Sequence, residues 1–182
     1  MATLSTLLAP ELALTGSCWR LRTNANGYKR AVGKALVTQA SNGRSFRILE
    51  RRGSRLWIQL LEDGYRCWFE LEAVLGRAEQ RSTWRPALLP EVQIASRLPA
   101  VLAWTERAEL QANRYLWGGT TEPDMDCSGL MQMAFASQGI WIPRDAYQQE
   151  RHCQPVAVAP DAVGLLRPGD LIFFGSSRRC TH

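Results

Sequence analysis

Residues 115–131 read Tyr115-Leu116-Trp117-Gly118-Gly119-Thr120-Thr121-Glu122-Pro123-Asp124-Met125-Asp126-Cys127-Ser128-Gly129-Leu130-Met131. Two glycines and a Pro-Asp pair mark a turning loop, and beyond Asp126 the composition turns apolar and periodic. From Cys127 to Gln138 the apolar residues Leu130, Met131, Ala134 and Phe135 recur at helical spacing, and Gly139 supplies a stop. A loop feeding a helix is therefore predicted, with Cys127 in the first helical turn. A sulfur there faces the positive end of the helix dipole, and the neighbouring amides have no intrahelical partners. Cys127 can act as a nucleophile, and its own N–H can donate to the oxyanion formed when a carbonyl is attacked. The base such a thiol needs must come from His152 or His182, the two histidines of the chain.

Downstream, 139–167 reads as irregular. Pro168-Gly169 makes a turn, and Asp170-Leu171-Ile172-Phe173-Phe174 is a continuous apolar run of the kind found in a fully buried strand. A partner strand would begin only at Thr181, so the second domain reads as lacking its last strands. Upstream, Glu79 to Pro99 carries Pro86, Pro90 and Pro99 without a sustained period and reads as a stiff linker. Pro99 suits a first helical position, and Val101, Leu102, Thr105, Ala108, Leu110 and Ala112 give a loose helical stripe to about Asn113.

Before the linker, Cys18 to Leu75 alternates. Phe46 and Ile48 flank Arg47; Leu56, Ile58 and Leu60 flank Trp57 and Gln59; Cys67, Phe69 and Leu71 flank Trp68 and Glu70. Asn26-Gly27, Asn42-Gly43, Gly53-Ser54 and Asp63-Gly64 punctuate these runs as turn signals. Five short strands with one apolar face predict a small SH3-like β-barrel. The fold class is α+β, with a barrel domain over 1–80, a linker over 81–99 and a catalytic-type domain over 100–182.

Composition agrees with folded domains: 182 residues, 46% hydrophobic, 21% charged, net charge +5. The charge is uneven, with 15 basic and 8 acidic residues in 1–100 against 7 and 9 in 101–182. No apolar run reaches the roughly 20 residues of a membrane helix, and Met1 to Pro10 has no Lys or Arg before its short Leu/Ala stretch. Five cysteines, an odd and unclustered set, argue against a disulfide framework and for a cytoplasmic protein with reduced thiols. Cys18, Cys67, Cys153 and Cys180 read as small buried hydrophobes. The seven tryptophans read mostly as core or interdomain packing, with Trp117 propping its loop.

Five ordered motifs, Tyr-x-Trp-Gly-Gly (115–119), Asp-Cys-Ser-Gly (126–129), Pro-Arg (143–144) with Gln149, Pro-Gly-Asp-Leu (168–171) and Thr-His (181–182), resemble the NlpC-type papain-like cysteine peptidases of bacterial cell walls. The first half, through Asp63-Gly64-Tyr65 before Trp68, is similar to the bacterial SH3-like domain of cyanobacterial γ-D-glutamyl-L-diamino acid endopeptidases. The resemblance implies hydrolysis of the γ-D-glutamyl–diamino acid bond in released wall peptides with a free N-terminal L-Ala, hence murein peptide recycling. It implies Cys127 as nucleophile, His182 as its base and Tyr115 as a site residue beside the oxyanion. Asp126 and Ser128 would hold the substrate ammonium, with Tyr65 as the barrel's contribution; capping is the alternative role for Asp126. The family's third, histidine-orienting residue has no counterpart in the 182 residues, so weak or absent activity is expected of this chain.

No metal or organic cofactor is implied. The expected partner is a peptidoglycan-derived peptide, with no nucleic acid and no membrane, and the chain is expected to be a monomer. Three other readings compete. A catalytically dead binder of wall peptides would keep the recognition surface without turnover. His152-Cys153 with Cys180-Thr181-His182 offers zinc-type ligands, but the spacing fits no usual paired pattern. A basic first half with tryptophans is compatible with nucleic acid, yet no reading motif accompanies it.

Overall fold

The computed structural model describes residues 6–156, 159, 162–176 and 179–182. Met1 to Ser5, part of the stretch read for a leader, lie outside the described residues.

The first half builds one antiparallel sheet from β1 (Cys18–Leu21), β2 (Ala25–Tyr28), β3 (Leu36–Ala40), β4 (Ser45–Arg52), β5 (Arg55–Leu60), β6 (Arg66–Glu70) and β7 (Ala78–Gln80). A single helical turn, α1 (Leu71–Val74), separates the last two strands. The strand order is β3-β2-β6-β5-β4-β1-β7. Alternation does here what its period of two predicts. Phe46 pairs with Leu60, Ile48 with Ile58 and Leu56 with Phe69, and all six are fully buried. Burying each such side chain contributes about 1.5–3 kcal/mol, so this inner face dominates the stability of the domain.

Two expectations for this half change. The sheet has seven strands rather than five, and Asn26-Gly27 is not a turn but the centre of β2. Gly27 is there for space: a Cβ on it would lie 2.6 Å from Cys67 Sγ and 2.7 Å from the Thr38 methyl. Close strand approach, not positive φ, explains this glycine.

Residues 81–90 carry no regular structure, and α2 (Glu91–Glu109) follows. The helix begins well before the predicted start, and Pro99 lies inside it rather than at its first position. A single missing N–H is tolerated because packing holds the helix: Val101, Trp104 and Ala108, spaced i, i+3, i+7, are buried. Leu110, expected in the stripe, is 87% exposed. Against α2 packs α3 (Cys127–Ala136), and their shared core includes Met125, Ala134, Phe135, Ile140 and Ile142.

The stretch read as irregular contains α4 (Ala146–His152), and a two-residue hairpin, β8 (Gly175–Ser176) with β9 (Arg179–Cys180), closes the described chain. The apolar run 170–174 is not the buried strand the sequence predicts. Ile172 and Phe174 are about 60% exposed, and the backbone of Phe174 bonds to Thr181 and His182. Apolar composition buries a strand only where a neighbouring strand accepts its amides, and none is found for 170–173 among the described residues.

The two halves share a polar seam. Gln132 on α3 donates to Asp63 at 2.8 Å, Arg144 donates to the Thr38 hydroxyl on β3, and the Arg44 guanidinium stacks on Trp141 at 4.8 Å. Strand β3 lies against the loop that leads to Cys127: Gly118 has φ +82°, and a Cβ there would sit 2.8 Å from the backbone of Leu36.

Candidate active site

The 115–126 loop and the start of α3 form one unit. Asp126 is the N-cap, and its Oδ1 accepts from the Gly129 N–H at 2.7 Å, which fixes the first turn and sets Cys127 at its opening. Its Oδ2 accepts from the Gly118 N–H at 2.8 Å, folding the Gly-Gly turn back onto the helix start. The Leu116 N–H donates to the Met125 carbonyl and that of Asp126 to the Gly119 carbonyl, so the two ends of the loop run side by side. As a result, the Tyr115 hydroxyl reaches Cys127, 3.9 Å from Sγ and beside the Cys127 amide. Local desolvation and the hydrogen bond to Cys127 raise the Tyr115 pKa above the ordinary tyrosine value, keeping the hydroxyl a donor.

Arg144 locks this unit from behind. Nη1 and Nη2 meet the two oxygens of Asp126 at 3.0 and 2.7 Å, a bidentate pair in which the two side chains are 2% and 9% exposed. The remaining donors reach Ser128 Oγ at 2.9 Å, Thr38 Oγ1 at 3.3 Å and the Gly119 carbonyl at 3.5 Å. A guanidinium has five N–H donors, and Arg144 has a protein partner for each. Gln149, also buried, donates to the carbonyls of Ser128 and Pro143 and ties the start of α3 to the segment carrying Arg144.

Asp126 and Ser128, the residues expected to hold a substrate ammonium, stand in the wall of the cleft beside Cys127. Asp126 accepts from Arg144 twice, from Gly118, from Gly129 and from the Ser128 hydroxyl, which occupies the roughly four lone-pair sites of a carboxylate. Capping, the alternative role, is present in the structure together with a place in the cleft wall.

Cys127, Tyr115 and His182 line one cleft of about 730 Å³ between α2, α3, α4 and the 170–174 segment. His182 is exposed, with its ring centre 6.3 Å from that of Phe174, and its imidazole makes no hydrogen bond among the described residues. Tyr65 is not part of this cleft lining. Its hydroxyl donates to Asp145 at 3.4 Å, and Asp145 immediately precedes Ala146, which does line the cleft. Burial first, and the Asp145 carboxylate second, push the Tyr65 hydroxyl well above the ordinary tyrosine value, so it too is a donor. Sequence reasoning places Arg144 and Gln149 within motifs without giving them a role, and it misses Asp145. A carboxylate next to the motif arginine is the signal that could have found it.

The other cysteines behave differently. Cys18, Cys67 and Cys180 are buried, Cys153 is half-buried, and all five are unbridged. Trp117, expected to prop its loop, is 71% exposed. No helix is long and apolar enough to cross a membrane among the described residues, and no three His, Cys, Asp or Glu side chains gather as a metal site there.

Comparison with known proteins bears on this geometry. Residues 112–182 match the NlpC/P60 family, and residues 27–74 match the bacterial dipeptidyl-peptidase Sh3 domain. Among curated proteins, the chain is 45% identical over 60 residues to the γ-D-glutamyl-L-lysine dipeptidyl-peptidase of Bacillus cereus, covering 33% of this chain and 16% of that one. It is 36% identical over 73 residues to the bifunctional muramidase/DL-endopeptidase CwlT of Bacillus subtilis, covering 40% and 21%. With the murein DD-endopeptidase/LD-carboxypeptidase MepS of Escherichia coli, identity is 34% over 96 residues, covering 52% and 46%. The chain thus spans less than half the length of each of these relatives. An NlpC/P60 family protein of Bacillus cereus has a solved structure that aligns with 92% of this chain and 50% of its own, at 21% identity and a TM-score of 0.39. That overlap is too loose to carry an argument, and the family assignment rests on the sequence matches. Two family matches thus divide the chain, the bacterial dipeptidyl-peptidase Sh3 domain at 27–74 and the NlpC/P60 family at 112–182.

Proposed function

We propose that the protein is a cysteine endopeptidase that hydrolyses the γ-D-glutamyl–diamino acid bond of peptidoglycan-derived peptides bearing a free N-terminal L-Ala. The observation that carries this reading is the cleft in which Cys127, at the first turn of α3, meets the Tyr115 hydroxyl and shares its walls with His182. The similarity to the γ-D-glutamyl-L-lysine dipeptidyl-peptidase of Bacillus cereus supports the choice of bond.

In the proposed reaction His182 takes the Cys127 proton and the sulfur attacks the γ-carbonyl carbon of the D-glutamyl residue. The oxyanion that forms lies between the Cys127 N–H and the Tyr115 hydroxyl, both donors at the start of α3. Collapse expels the diamino acid, whose amine takes the proton back from His182, and water then cleaves the thioester. Asp126 and Ser128, in the cleft wall beside Cys127, hold the substrate ammonium in this reading, and the Tyr65 hydroxyl, bonded to Asp145 at the seam, is the barrel's contribution. Arg144 holds Asp126 and Ser128 in place from behind. The free amino terminus makes the substrate a released peptide, which is the chemistry of recycling, and five unbridged cysteines fit a cytoplasmic setting. We assign the domains to 1–80 and 100–182, acting as a monomer on the peptide without cofactor, nucleic acid or membrane.

Among the described residues the His182 imidazole has no hydrogen-bonded partner to orient it, so turnover is expected to be slower by orders of magnitude than with an oriented base. The same observation favours a second reading, a binder of wall peptides without catalysis. Incubating the chain with L-Ala-γ-D-Glu-meso-diaminopimelate separates the two. Release of diaminopimelate that is lost in His182→Ala supports the peptidase; saturable binding that survives His182→Ala, with no release, supports the binder.

A further inference from the structure

Strand β3 lies at the edge of the barrel sheet, and the loop before the nucleophile covers it. Exposed edges present unpaired backbone groups. Here Thr120 satisfies them: the Gln39 N–H donates to Thr120 Oγ1 at 3.0 Å, and the Thr120 hydroxyl donates back to the Gln39 carbonyl. The Gln39 side chain adds more. Its Oε1 accepts from the Thr120 N–H at 3.1 Å, the Thr121 N–H at 3.3 Å and the Thr121 hydroxyl at 2.8 Å, while its Nε2 donates to Asn26 Oδ1 at 3.1 Å and so fixes which way the amide points.

This grip is applied at a point with leverage. Thr120 bridges to Met125 across the loop; Met125 in turn accepts from the Leu116 N–H, next to Tyr115, and Asp126 bonds to Gly119 just before Cys127. One side chain of the barrel therefore fixes both arms of the hairpin that bring the Tyr115 hydroxyl to Cys127. The structure assigns Gln39 as a positioning residue: we propose that it acts on the reaction through Tyr115, an inference that rests on the peptidase reading above. The alternative is a plain interdomain brace, whose loss would lower stability and leave the site chemistry unchanged.

Two substitutions in the full chain distinguish these. Gln39→Met keeps the length and removes the acceptor; Gln39→Glu keeps an oxygen facing all three loop donors. For L-Ala-γ-D-Glu-meso-diaminopimelate, Gln39→Met is expected to lower kcat about tenfold or more, on the scale of a small misplacement of a reacting group, with KM changing less. Gln39→Glu is expected to retain kcat. In a Tyr115→Phe background, Gln39→Met is expected to have no further effect on kcat, because the group it positions is gone. The inference is overturned if Gln39→Met lowers only the melting temperature, or if its effect multiplies with that of Tyr115→Phe. Should Gln39→Met fail to fold, Gln39→Asn, one methylene shorter, replaces it with the same expectations.

A second readout keeps the two readings apart. The rate of Cys127 alkylation by iodoacetamide, followed by peptide mass spectrometry, needs no turnover. If the wild-type chain releases no diaminopimelate, the peptidase reading fails while the positioning of Tyr115 is still tested. Equal changes of alkylation rate in Gln39→Met and Tyr115→Phe, absent in Gln39→Glu, support it, and an unchanged rate in Gln39→Met overturns it.

Discussion

Asp126→Asn is the substitution that most sharply tests the Asp126–Arg144 pair. It preserves shape but replaces one carboxylate oxygen by an NH2. In the native site, Oδ2 accepts from Arg144 Nη2 at 2.7 Å and from Gly118 at 2.8 Å, and Oδ1 from Arg144 Nη1 at 3.0 Å and from Gly129 at 2.7 Å. Either orientation of the amide sets donor against donor at two of these contacts and leaves the Arg144 charge buried without a counter-charge. Breaking a buried, hydrogen-bonded ion pair from one side costs about 3–5 kcal/mol. For a chain of this size each kcal/mol lowers the melting temperature by about 2–4 °C, so a drop of about 6–20 °C is expected. Turnover should fall with it, because the same contacts set the Cys127 turn. Thermal unfolding monitored by circular dichroism at pH 7, with kcat and KM measured well below the transition, is the assay. A melting temperature unchanged from wild type, with an intact kcat, would refute the reasoning.

Single contacts give the other predictions. Tyr115→Phe removes one oxyanion donor and should lower kcat by about 10²–10³, with little change in KM, in steady-state kinetics; an unchanged kcat would remove Tyr115 from the mechanism. Gly118→Ala places a methyl 2.8 Å from the Leu36 backbone at a φ of +82°, and should cost at least about 1 kcal/mol in urea unfolding and slow Cys127 alkylation by disturbing the loop. Burial raises the Glu62 carboxyl pKa despite the neighbouring Arg44. An acid held protonated by the fold binds more protons folded than unfolded, so its contribution to stability falls as pH rises from about 4.5 through the folded value. The stability difference between wild type and Glu62→Gln, measured by urea unfolding across that window, should decline with pH; a rising difference would contradict the sign.

What the sequence discloses depends on how local the physics is. The α3 start is legible because Asp126, Cys127 and Gly129 cap a turn within four residues, and the barrel core because alternation at Leu56, Ile58 and Leu60 is a strictly local pattern. Arg144 stands in a recognisable motif yet gets no role from it, since its partners come from two distant stretches, Thr38 on β3 and the loop that carries Gly119 and Asp126. For α4, a helix of seven polar-rich residues has too short a period to read; the buried Gln149 side chain, bonded to two carbonyls of other segments, holds it. Phe174 misleads because an apolar run reports appetite for burial, not the presence of a partner strand. The Asp126–Arg144 pair is hidden for a similar reason: adjacency to Cys127 in sequence says nothing about the guanidinium that Asp126 meets in the fold.

The most direct test of the account is isothermal calorimetry of the full chain with L-Ala-γ-D-Glu-meso-diaminopimelate, with the products checked by mass spectrometry. Slow continuing heat accompanied by free diaminopimelate, abolished in Cys127→Ala and retained in Cys153→Ala, is the predicted result. A binding heat with no product, or product that persists in Cys127→Ala, would contradict the assignment of Cys127 as the nucleophile of a working peptidase.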